Sequence, residues 1–164
     1  EIASCLVGSE MCIRDSIWTP YFVPDQTMMA ALSTAALRGV RVEVLTPANG
    51  DHPTVQWAAR AHYWQVLEHG VRIFERPGPF DHSKLMLIDG QWCCLGSANW
   101  DARSLRLNFE FNVEVYDTAL STRLESLFDA ARDASNEISA MALRARPLAI
   151  RLRDGVARLF TPIL

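Results

Sequence analysis

His82 and Lys84 stand two residues apart in the run Phe80-Asp81-His82-Ser83-Lys84-Leu85-Met86-Leu87-Ile88-Asp89-Gly90, and Gly96-Ser97-Ala98-Asn99 follows shortly after. On an extended chain, residues two apart project from the same face. An imidazole and an ammonium on one face repel when both are charged, which favours a neutral, nucleophilic His82. Lys84 supplies a permanent donor for an oxyanion. The turn Gly96–Asn99 returns a hydroxyl, Ser97, and an amide, Asn99, to the same mouth. A neutral His, a Lys, a Ser and an Asn around one point form a phosphate site without a metal, in which the cation and amide hold phosphoryl oxygens while the His attacks.

The elements that must position these groups follow from periodicity. Ile17–Val23 reads as the end of a buried strand running into a Pro-bounded loop. Asp25 is suited to cap a helix to Arg38, with Met29, Leu32 and Ala36 on one face, and Gly39 ends it. Val40–Leu45 is a strand with Arg41 and Glu43 on its alternate face. A second helix spans about Thr54–His69, with Val55, Ala59, Tyr63, Val66 and Leu67 facing inward, and Val71–Glu75 is the next strand. Asp89-Gly90 marks a hairpin between strands at His82–Ile88 and Gln91–Leu95. Asn108–Tyr116 alternates as a long strand. Leu120, Leu124, Leu127, Ala131, Ala134 and Ile138 line a third helix. Alternating strands and helices predict an α/β fold with a mainly parallel sheet flanked by helices.

Composition bounds the rest. The 164 residues are 49% apolar and 21% charged, enough for one domain with a core. No apolar run approaches the ~20 residues of a spanning helix. The net charge of −3 argues against a generally basic nucleic-acid binder. It also hides an asymmetry: residues 141–164 carry five arginines against Asp154, a net +4, whereas residues 17–140 sum to about −5. Cys93 and Cys94 read as small core residues, and Cys5 and Cys12 lack metal spacing with any His pair. Residues 1–16 show neither helical nor strand period. Gly8–Ser16 resembles a translated frame of a transposon-end sequencing adapter, the alternative being a polar leader. The expected organisation is therefore 1–16 as scar or leader, 17–140 as the domain, and 141–164 as a basic amphipathic tail.

The pattern His-x-Lys-x4-Asp-x6-Gly-Ser-x-Asn closely resembles the phospholipase D superfamily. His-x-Lys-x4-Asp alone arises by chance in roughly one chain in a hundred of this length, and Gly-Ser-x-Asn at the expected offset makes the match far rarer. A wider similarity is to the second half of bacterial cardiolipin synthases. It is carried by Thr19-Pro20-Tyr21-Phe22-Val23-Pro24-Asp25, Arg38–Val42, Gly70–Glu75, Trp100-Asp101-Ala102-Arg103-Ser104, Leu107–Asn112 and Arg144–Leu148.

The resemblance implies a phospholipase D-like fold and these roles. His82 attacks a phosphatidyl phosphorus and forms a phosphohistidine. Lys84 and Asn99 hold the phosphate oxygens, with Ser97 supporting, and Asp89 orders the motif loop. Glu110 is placed to accept from the other ring nitrogen of His82 and fix its tautomer. No metal or cofactor is implied. Such enzymes use two motifs, the second His protonating the leaving alcohol. This sequence holds one motif; His52, His62 and His69 begin no His-x-Lys pair and read as surface or helix-face residues. The partner expected is thus a missing half or a second copy supplying the other His. The substrate expected is an anionic phospholipid such as phosphatidylglycerol, at the cytoplasmic membrane. Two alternatives are a homodimeric single-motif phosphodiesterase or nuclease and an inactive membrane-binding fragment. In the tail, Leu148, Leu152, Val156, Leu159 and Phe160 share a face, suiting either a helix on anionic lipid or one docked on its own domain.

Overall fold

Apolar and β-branched runs become the strands of a seven-stranded sheet in the computed structural model, which describes residues 12–160. The strands are β1 (Arg14–Trp18), β3 (Arg41–Pro47), β4 (Arg72–Arg76), β5 (Leu85–Ile88), β6 (Trp92–Gly96), β8 (Asn112–Val115) and β9 (Asn136–Ile138). Their order is β8-β6-β5-β1-β3-β4-β9. β1–β3 and β3–β4 run parallel, as the crossovers require. The remaining pairings are antiparallel. The fold is α/β, with the sheet flanked by helices.

Helices α1 (Gln26–Leu37) and α2 (Pro53–Leu67) are the two crossovers. Asp25 caps α1, accepting from the Met28 amide at 2.9 Å. Met29, Leu32, Tyr63 and Val66 pack on the sheet face that shows Ile17, Val42, Val44 and Ile73. The opposite face, with Leu45, Phe74, Leu87 and Cys93, is covered by Phe128 and Ala131 of α4 (Thr118–Asp133). Cys93 is fully buried, as a small core residue.

Several boundaries differ from the sequence expectation. The central strand begins at Arg14, ahead of Ile17, so Arg14, Asp15 and Ser16 occupy ladder positions opposite Arg41, Val42 and Glu43. Residues 1–11 of the expected leader lie outside the described residues. Glu43, expected on an alternate face, is fully buried because Arg14, Arg72 and Arg132 all bond its carboxylate. His62, read as a surface or helix-face residue, is buried in α2, and burial lowers its pKa to about 4. The strand expected over Asn108–Tyr116 is reduced to Asn112–Val115, since only these residues pair with β6. The third helix stops at Asp133, and Asn136–Ile138 turns back as β9 against β4. Beyond it lie α5 (Ala140–Arg144) and α6 (Leu148–Leu159), the latter packed on α2.

Candidate active site

The site is built at the carboxyl ends of the parallel strands, where open α/β sheets place their ligands. Three loops converge there. Tyr21 follows β1, Asp51 and His52 follow β3, and Phe80 and His82 follow β4. A two-stranded parallel ladder, β2 (Phe22–Val23) with β7 (Trp100–Asp101), ties the first loop to the turn carrying Ser97 and Asn99.

His82 and Lys84 lie on irregular chain leading into β5, which starts only at Leu85 rather than at His82. Their side chains nevertheless meet. Lys84 Nζ is 2.9 Å from His82 Nδ1 and donates to the His82 carbonyl at 3.0 Å. An ammonium has only donors, so the facing ring nitrogen presents its lone pair. Burial lowers the Lys84 pKa from its ordinary value, while the Glu110 and Asp101 carboxylates act in the other direction. His82 itself is exposed.

Aromatic rings wall the His82 imidazole. Phe80 is centred 5.6 Å away, and Tyr21 meets it edge-on at 5.9 Å. The Tyr21 hydroxyl donates to Asp51 Oδ1 at 2.5 Å, and burial with this acidic neighbour raises its pKa. His52 lies 6.1 Å from Tyr21. In the sequence Tyr21 belongs only to a similar stretch, and Phe80 and Asp51 carry no marked role. The usable signal was their place after strand ends.

The turn after β6 is fastened to the chain entering β8. Ser97 donates to a Glu110 carboxylate oxygen, and its Oγ accepts from the Phe111 amide at 2.9 Å. Glu110 also accepts from Asn108 at 3.1 Å, and these bonds, Ser97 first, lower its pKa. Its carboxylate is held by Ser97 and Asn108, and no hydrogen bond joins it to His82 among the described residues. Asn99 donates to Ser104 Oγ at 3.1 Å, leaving its buried Oδ1 without a partner. Lys84 and Asn99 together line a cavity of about 300 Å³ whose remaining wall includes Met28, Leu85 and Trp100. Asn99 also borders a second cleft, of about 330 Å³, with Tyr21, His52, Asp101 and Arg103.

Asp89 stands apart from these groups, at the far end of β5. It occupies the hairpin with φ 51°, and its Oδ1 accepts from the Ile13 and Arg14 amides, each at 2.7 Å. Its visible work is to fix the start of β1. Among the described residues no group of three or more His, Cys, Asp or Glu is arranged to hold a metal ion.

A family model described as cardiolipin synthase, phospholipase D-like domain, matches residues 14–132. A cardiolipin synthase of Oceanobacillus iheyensis is 38% identical over 148 residues, covering 90% of this chain and 31% of that protein. One from a Geobacillus species is 40% identical over 151 residues, covering 91% and 30%. The chain thus spans about a third of the length of these curated relatives. Among solved structures, the fold resembles Nuc of Salmonella typhimurium, a phospholipase D family member. The TM-score there is 0.71 at 18% identity, over 85% of this chain and 89% of that one. It also resembles phosphatidylserine synthase of Haemophilus influenzae (TM-score 0.75, 17% identity, 99% of this chain and 44% of that one). By the family match across most of its length, with the His82–Lys84 pair at its site, the chain belongs to the phospholipase D-like domain family of the cardiolipin synthases.

Proposed function

We propose that this chain is the C-terminal half of a two-motif enzyme that makes cardiolipin from phosphatidylglycerol through a phosphohistidine at His82. The observation that carries the reading is the contact between Lys84 Nζ and His82 Nδ1. An arriving phosphate diester draws the ammonium from the ring to a phosphoryl oxygen, freeing a ring lone pair to attack phosphorus. The bond from phosphorus to the headgroup glycerol breaks, and a second His donates the proton that lets glycerol leave. That His then takes the proton from the primary hydroxyl of a second phosphatidylglycerol, whose oxygen displaces His82 and forms cardiolipin. Asn99 turns its amide toward the phosphate, and Ser97 and Glu110 brace the turn that presents it. The cavity beside Lys84 and Asn99, walled by Met28, Leu85 and Trp100, suits the glycerol end of an acyl lipid.

The second His lies outside this chain in this reading. Support comes from the single motif and from the exposed apolar strip Leu105, Leu107, Phe109 and Phe111 next to the site. Such a strip marks an interface. The enzyme works at the cytoplasmic membrane, where its substrate resides; no described helix is long and apolar enough to cross one. Purified alone, the chain is expected to make no cardiolipin from phosphatidylglycerol vesicles. Cardiolipin formation by the chain alone, lost on His82→Ala, would instead establish a homodimer using His82 from both copies.

One observation favours a second reading, a homodimeric single-motif phosphodiesterase: the fold covers 89% of the Nuc chain. Against it stands the charge of residues 17–140, about −5, where a nucleic-acid groove needs cations.

A further inference from the structure

Helix α6 is amphipathic in an unusual sense, because its apolar row points away from the protein. The residues it buries are Asp154 and Ala157, on the side packed against α2. Asp154 is 1% exposed and accepts from Arg146 at 2.7 Å and from Arg153 at 2.7 Å. Arg153 also lies over the Trp57 ring of α2, 4.2 Å from its centroid. This polar clamp docks the helix by its back. The outward arc holds Leu148, Leu152, Val156, Leu159 and Phe160, which are 67%, 61%, 57%, 76% and 54% exposed. At about 100° per residue these positions form one continuous stripe. Arg151 and Arg158 border the stripe on one side; Arg153, beyond its other edge, is turned back onto Asp154 and Trp57.

We propose that this outward face of α6 is the surface by which the protein lies on a bilayer of anionic phospholipid. The charge on the page selects that occupant. Of the five arginines in residues 141–158, Arg144 pairs with Glu68 and Arg146 and Arg153 with the enclosed Asp154, while Arg151 and Arg158 carry positive charge along one edge of the stripe. An apolar stripe rimmed by guanidinium groups matches acyl chains beneath phosphate headgroups. A soluble protein partner would need both a complementary groove and a band of acids. Because the helix is clamped rather than tethered, binding there also sets how the domain sits on the lipid. The choice of a phosphatidylglycerol bilayer rests on the phosphatidyl-transfer reading; the docking face itself does not.

The test is sedimentation of the full chain with vesicles of phosphatidylcholine, with and without phosphatidylglycerol. The chain is expected to bind the anionic vesicles and to be released by salt. The double variant Leu152→Glu/Val156→Glu is expected to lose about tenfold or more in partitioning, and Arg151→Glu to weaken binding to anionic vesicles alone. Both positions of the double variant are exposed, and circular dichroism confirms its helicity; Leu152→Ser gives an intermediate loss. His82→Ala is expected to bind like the parent, so failure of the catalytic reading leaves this result untouched. Vesicle binding that is absent, or unchanged in the double variant, overturns the proposal. So does a dimer in lipid-free solution that the double variant dissolves, since the face would then cover protein.

Discussion

Lys84 is the residue on which the site's chemistry turns. Its ammonium lies 2.9 Å from His82 Nδ1, and in the proposed reaction it moves to a phosphoryl oxygen of the substrate. Replacing it with Met is expected to lower turnover by about two to three orders of magnitude, on the scale seen when a charge-stabilising donor is removed. A steady-state rate measurement checks this. Gly96 is fixed by space. A Cβ there would fall 2.0 Å from Asn112 Oδ1 and 2.5 Å from the Phe111 carbonyl oxygen. Gly96→Ala is therefore expected to part β6 from β8 and cost about 3 kcal/mol in a denaturant melt. Asp15 is the converse, a fully buried carboxylate in the central strand with neither oxygen bonded among the described residues. Burial, helped by the Asp89 charge, raises its pKa to about 6. The folded state holds this proton more tightly than the unfolded chain, so stability drains as pH climbs from about 4 through 6. The loss is roughly 3 kcal/mol. Asp15→Val is expected to stabilise the protein, by more at pH 7 than at pH 4, in paired thermal melts.

At the scale of elements, the strands and helices with strong periods and caps were legible from sequence. Asp25 caps where expected, and Asp89-Gly90 forms its hairpin. What was not legible depended on distant partners. Glu43 is expected on the alternate face of its strand, but nothing near it in the sequence marks the three arginines from separate elements that enclose it. Removing the buried anion breaks three ion pairs at once, while Arg14, Arg72 and Arg132 keep their pairs with Asp129, Glu137 and Asp133, so Glu43→Ala is expected to destabilise by about 3 kcal/mol. Ile138 had helical spacing and became a strand residue because the open edge of β4 offered it a ladder. Of the candidate site, the His82–Lys84 contact and the cavity shared by Lys84 and Asn99 were legible, because the motif keeps these residues close in sequence. Tyr21, Phe80 and Asp51 escaped notice because only the crossovers bring their loops together. Glu110 bonds Ser97 and Asn108, partners that the alternation of residues 108–116 does not reveal.

The whole molecule puts the proposed chemistry and the membrane on one body. The parallel strands β1, β3 and β4 aim three loops at His82, α4 closes the opposite face of the sheet, and α6 rides on α2 with its apolar arc outward. Residues 17–140 are acidic and the tail is basic, an asymmetry that suits the tail rather than the body to the proposed anionic surface. The exposed strip Leu105–Phe111 flanks the turn that carries Asn99. In the proposed enzyme this places the other motif across His82, and a paired assembly is expected to bury the strip and protect its amides from hydrogen exchange.

The central claim is the covalent step at His82. The most direct measurement takes the full two-motif protein, mixes it with phosphatidylglycerol labelled in its phosphate, and quenches in base, where phosphohistidine survives. Peptide mapping follows. Label is expected on the peptide containing His82 and none in His82→Gln, with cardiolipin formation lost alongside. Label on a different residue, or cardiolipin made at the parent rate by His82→Gln, would contradict it.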